Sequence, residues 1–112
     1  MTESKLQSDC FREIHNNYPH LRGRFFLIYN NPKNKLHGAI LKGMGMRRGV
    51  SDQLLLTLEG SVTWIECKLP GETQSDDQIE FQGLVESLGM RYYLYHSLPE
   101  LLDIFRDEGE IG

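Results

Sequence analysis

A mixed α/β fold, a four-stranded sheet flanked by helices, is what this sequence predicts, and three observations carry the prediction. Two short apolar runs on either side of Glu59-Gly60 read as a hairpin. A helical apolar pattern between the second of those runs and Arg91-Tyr92-Tyr93-Leu94-Tyr95 makes a strand–helix–strand crossover, whose strands should be parallel. An amphipathic helix opens the chain ahead of all of them.

In order, the first helix runs from about Ser4 to Asn17, with Leu6, Cys10 and Ile14 at successive four-residue steps and Phe11 beside them. Glu3 stands one turn before Leu6, on the buried side. Asn16-Asn17-Tyr18-Pro19 ends the helix, Arg24 to Asn30 reads as the first strand, and Asn31 to Lys35 as a loop. Leu36 to Lys42 fits either a short helix or a connecting turn. Gly38, Gly43, Gly45 and Gly49 then permit unusual backbone angles and close approach. They do not have the spacing of a phosphate-cradling P-loop. After Lys68, Leu69 to Gln74 leaves the sheet. Ser75 caps the next helix with Gln78 at the capping-box position, and Phe81, Leu84, Val85 and Leu88 form its core face up to Gly89. Ser97 caps the last helix, with Pro99 in its first turn, Glu100 completing a second capping box, and Leu98, Leu101, Leu102 and Phe105 inward. That makes four strands interleaved with three helices, with Arg106 to Gly112 as a fraying tail.

The chain of 112 residues is long enough for one modest core and too short for two, so residues 1–112 are expected to form a single domain. No apolar run approaches the ~20 residues that span a bilayer, and no signal-peptide layout opens the chain. The expected location is the cytoplasm, of a bacterial or phage-infected cell. Cys10 and Cys67 lie in regular elements without metal-type spacing, which predicts free thiols and no zinc site. His15, His20, His37 and His96 have no i,i+4 pairing or acidic consort that would build a histidine metal site.

The net charge of −4 is unevenly spread. Between Pro19 and Ser51 there is no Asp or Glu, while Arg22, Arg24, Lys33, Lys35, Lys42, Arg47 and Arg48 fall there with His20 and His37. Phosphate binding needs positive charge on one surface rather than a basic average. A solvated basic face with no ligand explains the same run of residues.

The chemistry concentrates in residues 49–68. Along Val62–Lys68 the side chains alternate, so Glu66 and Lys68 share a face with Trp64. Charges at the end of an apolar strand are costly unless they pair or hold a metal. Asp52 joins them if the hairpin has a three-residue loop, Glu59 to Ser61, which pairs Asp52 with Lys68 and Leu54 with Glu66. A two-residue loop would turn Asp52 to the opposite face. Glu66 and Lys68 as a surface ion pair on an edge strand is the plainer reading.

Asp52 followed by Glu66-Cys67-Lys68 resembles the PD-(D/E)XK nuclease signature. The wider text is similar to the VRR-NUC branch, in Gly45-Met46-Arg47-Arg48-Gly49-Val50-Ser51-Asp52, Ile65-Glu66-Cys67-Lys68 and Ser75-Asp76-Asp77-Gln78. The likeness is firmest from Leu41 to Gly89. Ser51 stands where that family has Pro, and Cys67 where it has Leu. The resemblance implies a restriction-endonuclease-like core and a Mg²⁺-dependent DNA endonuclease, with Mn²⁺ as a substitute. It implies Asp52, Glu66 and the Cys67 carbonyl as metal ligands and Lys68 as the residue that orients or activates water. It also implies a helix-borne Glu, aligned with Glu3 (Gln7 as the fallback), and Gln78 near the metal or the attacked phosphate. Glu3 as a partner of the helix dipole and Gln78 as a cap explain those two residues without catalysis. Lys33, Lys35, Lys42, Arg47 and Arg48 are the expected DNA contacts. Stand-alone members of the branch are similar to junction-resolving dimers, which implies branched DNA and a homodimer. A non-catalytic DNA-binding module with the same fold, a flap or duplex nuclease, and an interaction protein without nucleic acid are the competing readings.

Overall fold

The computed structural model describes residues 1–29 and 32–112. The expectations for Asn30, at the end of the first strand, and Asn31, at the start of the loop, fall outside them. In chain order the elements are α1 (Glu3–Asn17), a 3-10 turn (Pro19–Leu21), β1 (Phe25–Leu27), α2 (Lys35–Gly43), β2 (Gln53–Leu56), β3 (Val62–Cys67), α3 (Asp76–Ser87), β4 (Arg91–Tyr95) and α4 (Leu98–Asp107). The strands lie in the order β1-β2-β3-β4. β1, β2 and β3 pair antiparallel, and β4 joins β3 in parallel, as the crossover requires.

Each helix starts on an oxygen side chain that satisfies a free N–H of its first turn: Thr2 for α1, Asn34 for α2, Ser75 for α3 and Ser97 for α4. The open choice at Leu36–Lys42 resolves as helix, giving four helices among the described residues instead of three. The Asn34 cap, which accepts from the His37 N–H, is its local cause.

The period-2 alternation of β3 splits the interior into two clusters. Ile65 and Cys67 face α1 and α4, in a core with Leu6, Cys10, Ile14, Phe25, Leu55, Tyr95, Leu101, Ile104 and Phe105. On the other face Phe81 and Val85 of α3 meet Tyr92, with Trp64, Val50, Met90 and Leu94 packed around them. Trp64 is a core residue: its ring stands edge-on to Phe81, and its Nε1–H reaches the Met90 sulfur. The two cysteines are buried and unpaired, as expected.

Several expectations are corrected. The hairpin loop is three residues long but sits one position earlier. Thr57 and Ser61 close it by main-chain and side-chain bonds, and Gly60, at φ +84°, takes the left-handed position. The register is therefore Leu54↔Trp64 and Gln53↔Ile65, which sets Asp52 across from Glu66 rather than Lys68. A shift of two keeps all three on one face. The first strand is shorter than Arg24–Asn30, although the Ile28 N–H still donates to the Asp52 carbonyl. Leu84 and Leu88 of α3 are exposed, because α3 is buried only along Phe81 and Val85.

The C-terminal residues do not fray. Glu110 is buried and takes a two-armed ion pair from Arg24 at 2.6 and 2.9 Å, its carbonyl lies 2.7 Å from His20 Nε2, and Ile111 packs on the core. Arg24 is thereby removed from the basic surface, and Arg22 turns to the His15 carbonyl. Glu100 accepts from the Ser97 hydroxyl in place of completing a capping box, and it also lies 3.1 Å from His96 Nδ1, which does have an acidic neighbour.

Candidate active site

β2 and β3 stop pairing at Gln53↔Ile65, and the two residues just beyond are Asp52 and Glu66. The Asp52 carboxylate occupies the place where the ladder would continue and accepts the Cys67 N–H at 2.9 Å. The N–H and C=O of one residue leave an extended strand on the same side, so the Cys67 carbonyl is turned toward Asp52 as well. The Cys67 thiol, by contrast, lies in the core on the α1 side, and burial pushes its pKa up to about 12. Only the main chain of Cys67 can act as a ligand.

Glu66 is fully buried, and neither carboxylate oxygen meets a hydrogen-bond partner among the described residues. Burial above all, then the neighbouring Asp52 carboxylate, lifts its pKa to about 7. The Tyr92 hydroxyl and the Lys68 ammonium ease that charge, yet neither reaches bonding geometry with it. Tyr92 is held by Gln74, whose amide nitrogen spans Gln82 at 2.9 Å and the Tyr92 hydroxyl at 3.2 Å. The hydroxyl thus accepts from Gln74 and keeps its own proton on offer. β3 is an inner strand, so the surface-ion-pair reading of Glu66 and Lys68 fails. Lys68 is half-buried and forms no ion pair among the described residues, and it acts on Asp52, Glu66 and Glu3 through space.

Beside Asp52 opens a cleft of about 460 Å³ lined by Glu3, Asp52, Asp77, Arg47, Arg48 and Gln78 among others, while Glu66, Cys67 and Lys68 do not line it. The first turn of α1 brings Glu3 there, and its pKa is raised by partial burial and by Asp52. Gln7, one turn further on, lines a different recess with Phe11 and His15, so Glu3 is the helix-borne candidate. Asp52 too is shifted upward, by burial, with the Cys67 N–H and Lys68 opposing. Gln78 completes the α3 capping box through its carbonyl oxygen, which accepts the Ser75 N–H at 2.8 Å, and it lines the cleft as well. The cap leaves its amide NH₂ free to face a ligand. Gly49 locks the cleft wall: at φ +81°, a Cβ there would lie 2.3 Å from the Asp77 main chain.

The expected DNA contacts divide. Lys35, Lys42 and Arg48 line a groove of about 690 Å³ that shares Pro32, Met46 and Arg48 with the carboxylate cleft. Arg47 lines the cleft, stands 3.7 Å from Glu80, and lies over the Phe81 ring. Lys33 is exposed at the entry to α2 and lines neither recess.

Among the described residues no group of three or more His, Cys, Asp or Glu side chains gathers as a metal site. The arrangement offers two carboxylates and a carbonyl, a hard-oxygen set that fits Mg²⁺ or Mn²⁺ rather than zinc. The unsatisfied Glu66 oxygens are what such an ion would satisfy. Sequence reasoning missed Tyr92, Gln74 and Glu72, which acts on Glu3. Tyr92 could have been found from β4 alternation once β3 and β4 were placed in register. The other two sit on an irregular segment with no periodic signal.

No family profile and no curated protein matches the chain. Among solved structures, one described as a VRR_NUC domain protein superposes with a TM-score of 0.77, at 15% sequence identity, over 100% of this chain and 91% of that one. This chain therefore has the mixed α/β, restriction-endonuclease-like fold of a VRR-NUC domain. No helix among the described residues is long and apolar enough to cross a membrane.

Proposed function

We propose that this chain is a metal-dependent nuclease that hydrolyses phosphodiester bonds in DNA, selectively on branched DNA and as a homodimer. The observation that carries the reading is the Glu66 carboxylate, buried beside Asp52 without a hydrogen-bond partner among the described residues, next to a cleft that holds Arg47 and Arg48 together with Glu3, Asp52 and Asp77. A protein keeps a desolvated acid in that condition where a ligand compensates it. A non-catalytic module would lose nothing by replacing it.

Asp52, Glu66 and the Cys67 carbonyl would hold Mg²⁺, with Mn²⁺ as a substitute. When bound, the ion screens the phosphate, acidifies the attacking water and stabilises the leaving oxygen. Lys68, which forms no ion pair among the described residues, orients that water and neutralises charge building on the phosphate. Glu3 adds a carboxylate on the α1 side of the cleft, and the Gln78 amide donates toward the phosphate. Lys35, Lys42, Arg47 and Arg48 bind backbone phosphates along the groove that runs into the cleft.

The test is incubation with labelled four-way, flap and linear DNAs in Mg²⁺ or EDTA. Cleavage should need Mg²⁺, favour the four-way substrate and vanish in Asp52→Asn and Glu66→Gln while DNA binding persists. Cleavage retained by both variants would overturn the site assignment. A melting-temperature rise with Mn²⁺ in the native protein but not in Glu66→Gln checks the ion independently of activity.

A further inference from the structure

Between α1 and the edge strand β1 lies a recess of about 510 Å³, within the ~300–1,000 Å³ of small-molecule sites. Gln7, Phe11, Arg12 and His15 on one flank of α1 line it, together with Leu27 of β1 and Gln53 of β2. Its α1 wall is aromatic. The Phe11 and His15 rings stack 5.9 Å apart at 27°, and Phe11 also lies 5.8 Å from Phe25 at 31°. Those neighbours fix the Phe11 ring, yet it stays 36% exposed.

Gln53 is the polar group of the recess, and half of its amide is unused. Asp52 and Leu56 bond to β1 through their main chains, so by the two-residue repeat of the ladder Gln53 turns its own N–H and C=O toward β3. Only its side chain is left to line the recess. Its Oε1 accepts the Tyr95 hydroxyl at 2.7 Å, while its Nε2 has no hydrogen bond among the described residues. Gln53 is 1% exposed, and a buried amide donor without a partner is a rare feature that a ligand's acceptor would satisfy.

We propose that this recess takes an unpaired nucleobase of a DNA strand, its face against Phe11, its ring acceptors on the Gln53 amide and its phosphate toward Arg12. A nucleobase is a planar ring with nitrogen and oxygen acceptors on an anionic tether, which is what the three groups ask for. An aromatic wall accepts the face of any base. Arg12 is 65% exposed and 3.5 Å from Asp9, whose carboxylate Lys5 already holds at 2.7 Å, so its guanidinium can turn to a phosphate. An alkyl chain would leave the Gln53 donor unmet, and a basic peptide would meet Arg12 with repulsion. A base inside a duplex has both faces covered, so only an unstacked one fits. Position agrees with this. Gln7 follows Glu3 by one turn of α1, ~6 Å, and Gln53 follows Asp52, while Glu3 and Asp52 line the carboxylate cleft. A strand lying in that cleft thus has the recess beside it along two elements. The proposal rests on the nuclease reading for the source of the base, and its test does not.

That test is a metal-free NMR titration read at the Gln53 side-chain amide and the Phe11 and His15 ring signals. The probes are dAMP and a short single-stranded oligonucleotide, with deoxyribose 5-phosphate and a blunt duplex as controls. Both probes should shift those signals saturably, and neither control should. Ser8→Trp, which fills the recess from an exposed position of α1, should weaken dAMP at least ~10-fold, with circular dichroism and melting unchanged. If Ser8→Trp misfolds, Phe11→Leu removes the stacking face and should give the same loss. Shifts confined to Lys35 and Lys42, an equal response to deoxyribose 5-phosphate, or an affinity unmoved in both variants would overturn the site. So would binding of dAMP without binding of the oligonucleotide, which would make it a pocket for free nucleotides. Base binding by a chain that cuts no DNA in Mg²⁺ sinks the nuclease reading and keeps the recess. Mg²⁺-dependent cleavage with a silent Gln53 does the reverse.

Discussion

The two faces of the sheet are built to different standards. Under α1 and α4 the core is closed, and its buried polar groups are matched: the Tyr95 hydroxyl donates to Gln53 at 2.7 Å, and Thr63 and Arg91 both donate to Glu108. Under α3 the apolar cluster is small, Phe26 and Leu56 stay partly exposed, and the fully buried Glu66 meets no hydrogen-bond partner among the described residues. The first face stabilises the fold, and the second gives up part of that stability by burying the Glu66 carboxylate uncompensated. The proposed function places the site where the accounting of polar groups is incomplete.

The sharpest way to break this comparison is at Glu66. Glu66→Gln should lower any Mg²⁺-dependent cleavage by at least ~10³-fold, yet raise stability in urea unfolding at pH 8. A variant that loses both activity and stability would make Glu66 an ordinary structural residue.

Large-to-small changes test the closed face. Leu101→Ala, at a fully buried site, should cost ~2–5 kcal/mol. Ile79→Ala on the outer side of α3 should stay within ~0.5 kcal/mol in the same denaturant series.

Two glycines with nearly equal φ separate backbone strain from steric contact. Gly60→Ala, with open space around its Cβ, should cost ~1 kcal/mol. Gly49→Ala must also displace the start of α3, and should cost more than ~2 kcal/mol and impair cleavage. Equal effects would mean that the cleft wall is not locked at Gly49.

The pH dependence is the finest probe. The folded-state pKa of Glu66 is lifted from 4.5 to about 7, so between those values the native state holds a proton that the unfolded chain has released. Stability should therefore fall as pH rises through that window, with a total change of up to ~3 kcal/mol. The upward shift of Asp52 acts with the same sign. Unfolding series from pH 5 to 8 should show the slope in the native protein and a flatter one in Glu66→Gln.

Much of this was legible from residues alone. Helix caps at Ser75 and Ser97, a hairpin turning at Gly60 and the parallel crossover depend on local chemistry and on spacing, and they occur, with the hairpin loop one position earlier than read and no capping box at Ser97. The face shared by Asp52, Glu66 and Lys68 was legible too, because strand alternation has period two and an error of two in the register leaves it unchanged. The segment Leu36–Lys42 is ambiguous because Leu36 and Ile40 stay in solvent and no residue of α2 is fully buried, leaving little burial to discriminate helix from turn.

The sequence by itself determined the order of elements, the split of each strand into two faces, and the acids and bases available near residue 52. Only the tertiary structure decided which of them matter. Arg24 belongs to Glu110 across 86 residues of chain, Tyr92 faces Glu66 from another strand, and α3 packs on Trp64 and Tyr92 while Phe26 and Leu56 stay partly exposed. The reason is that pairing, desolvation and coverage depend on which distant segments come to lie together, and local periodicity carries no information about that.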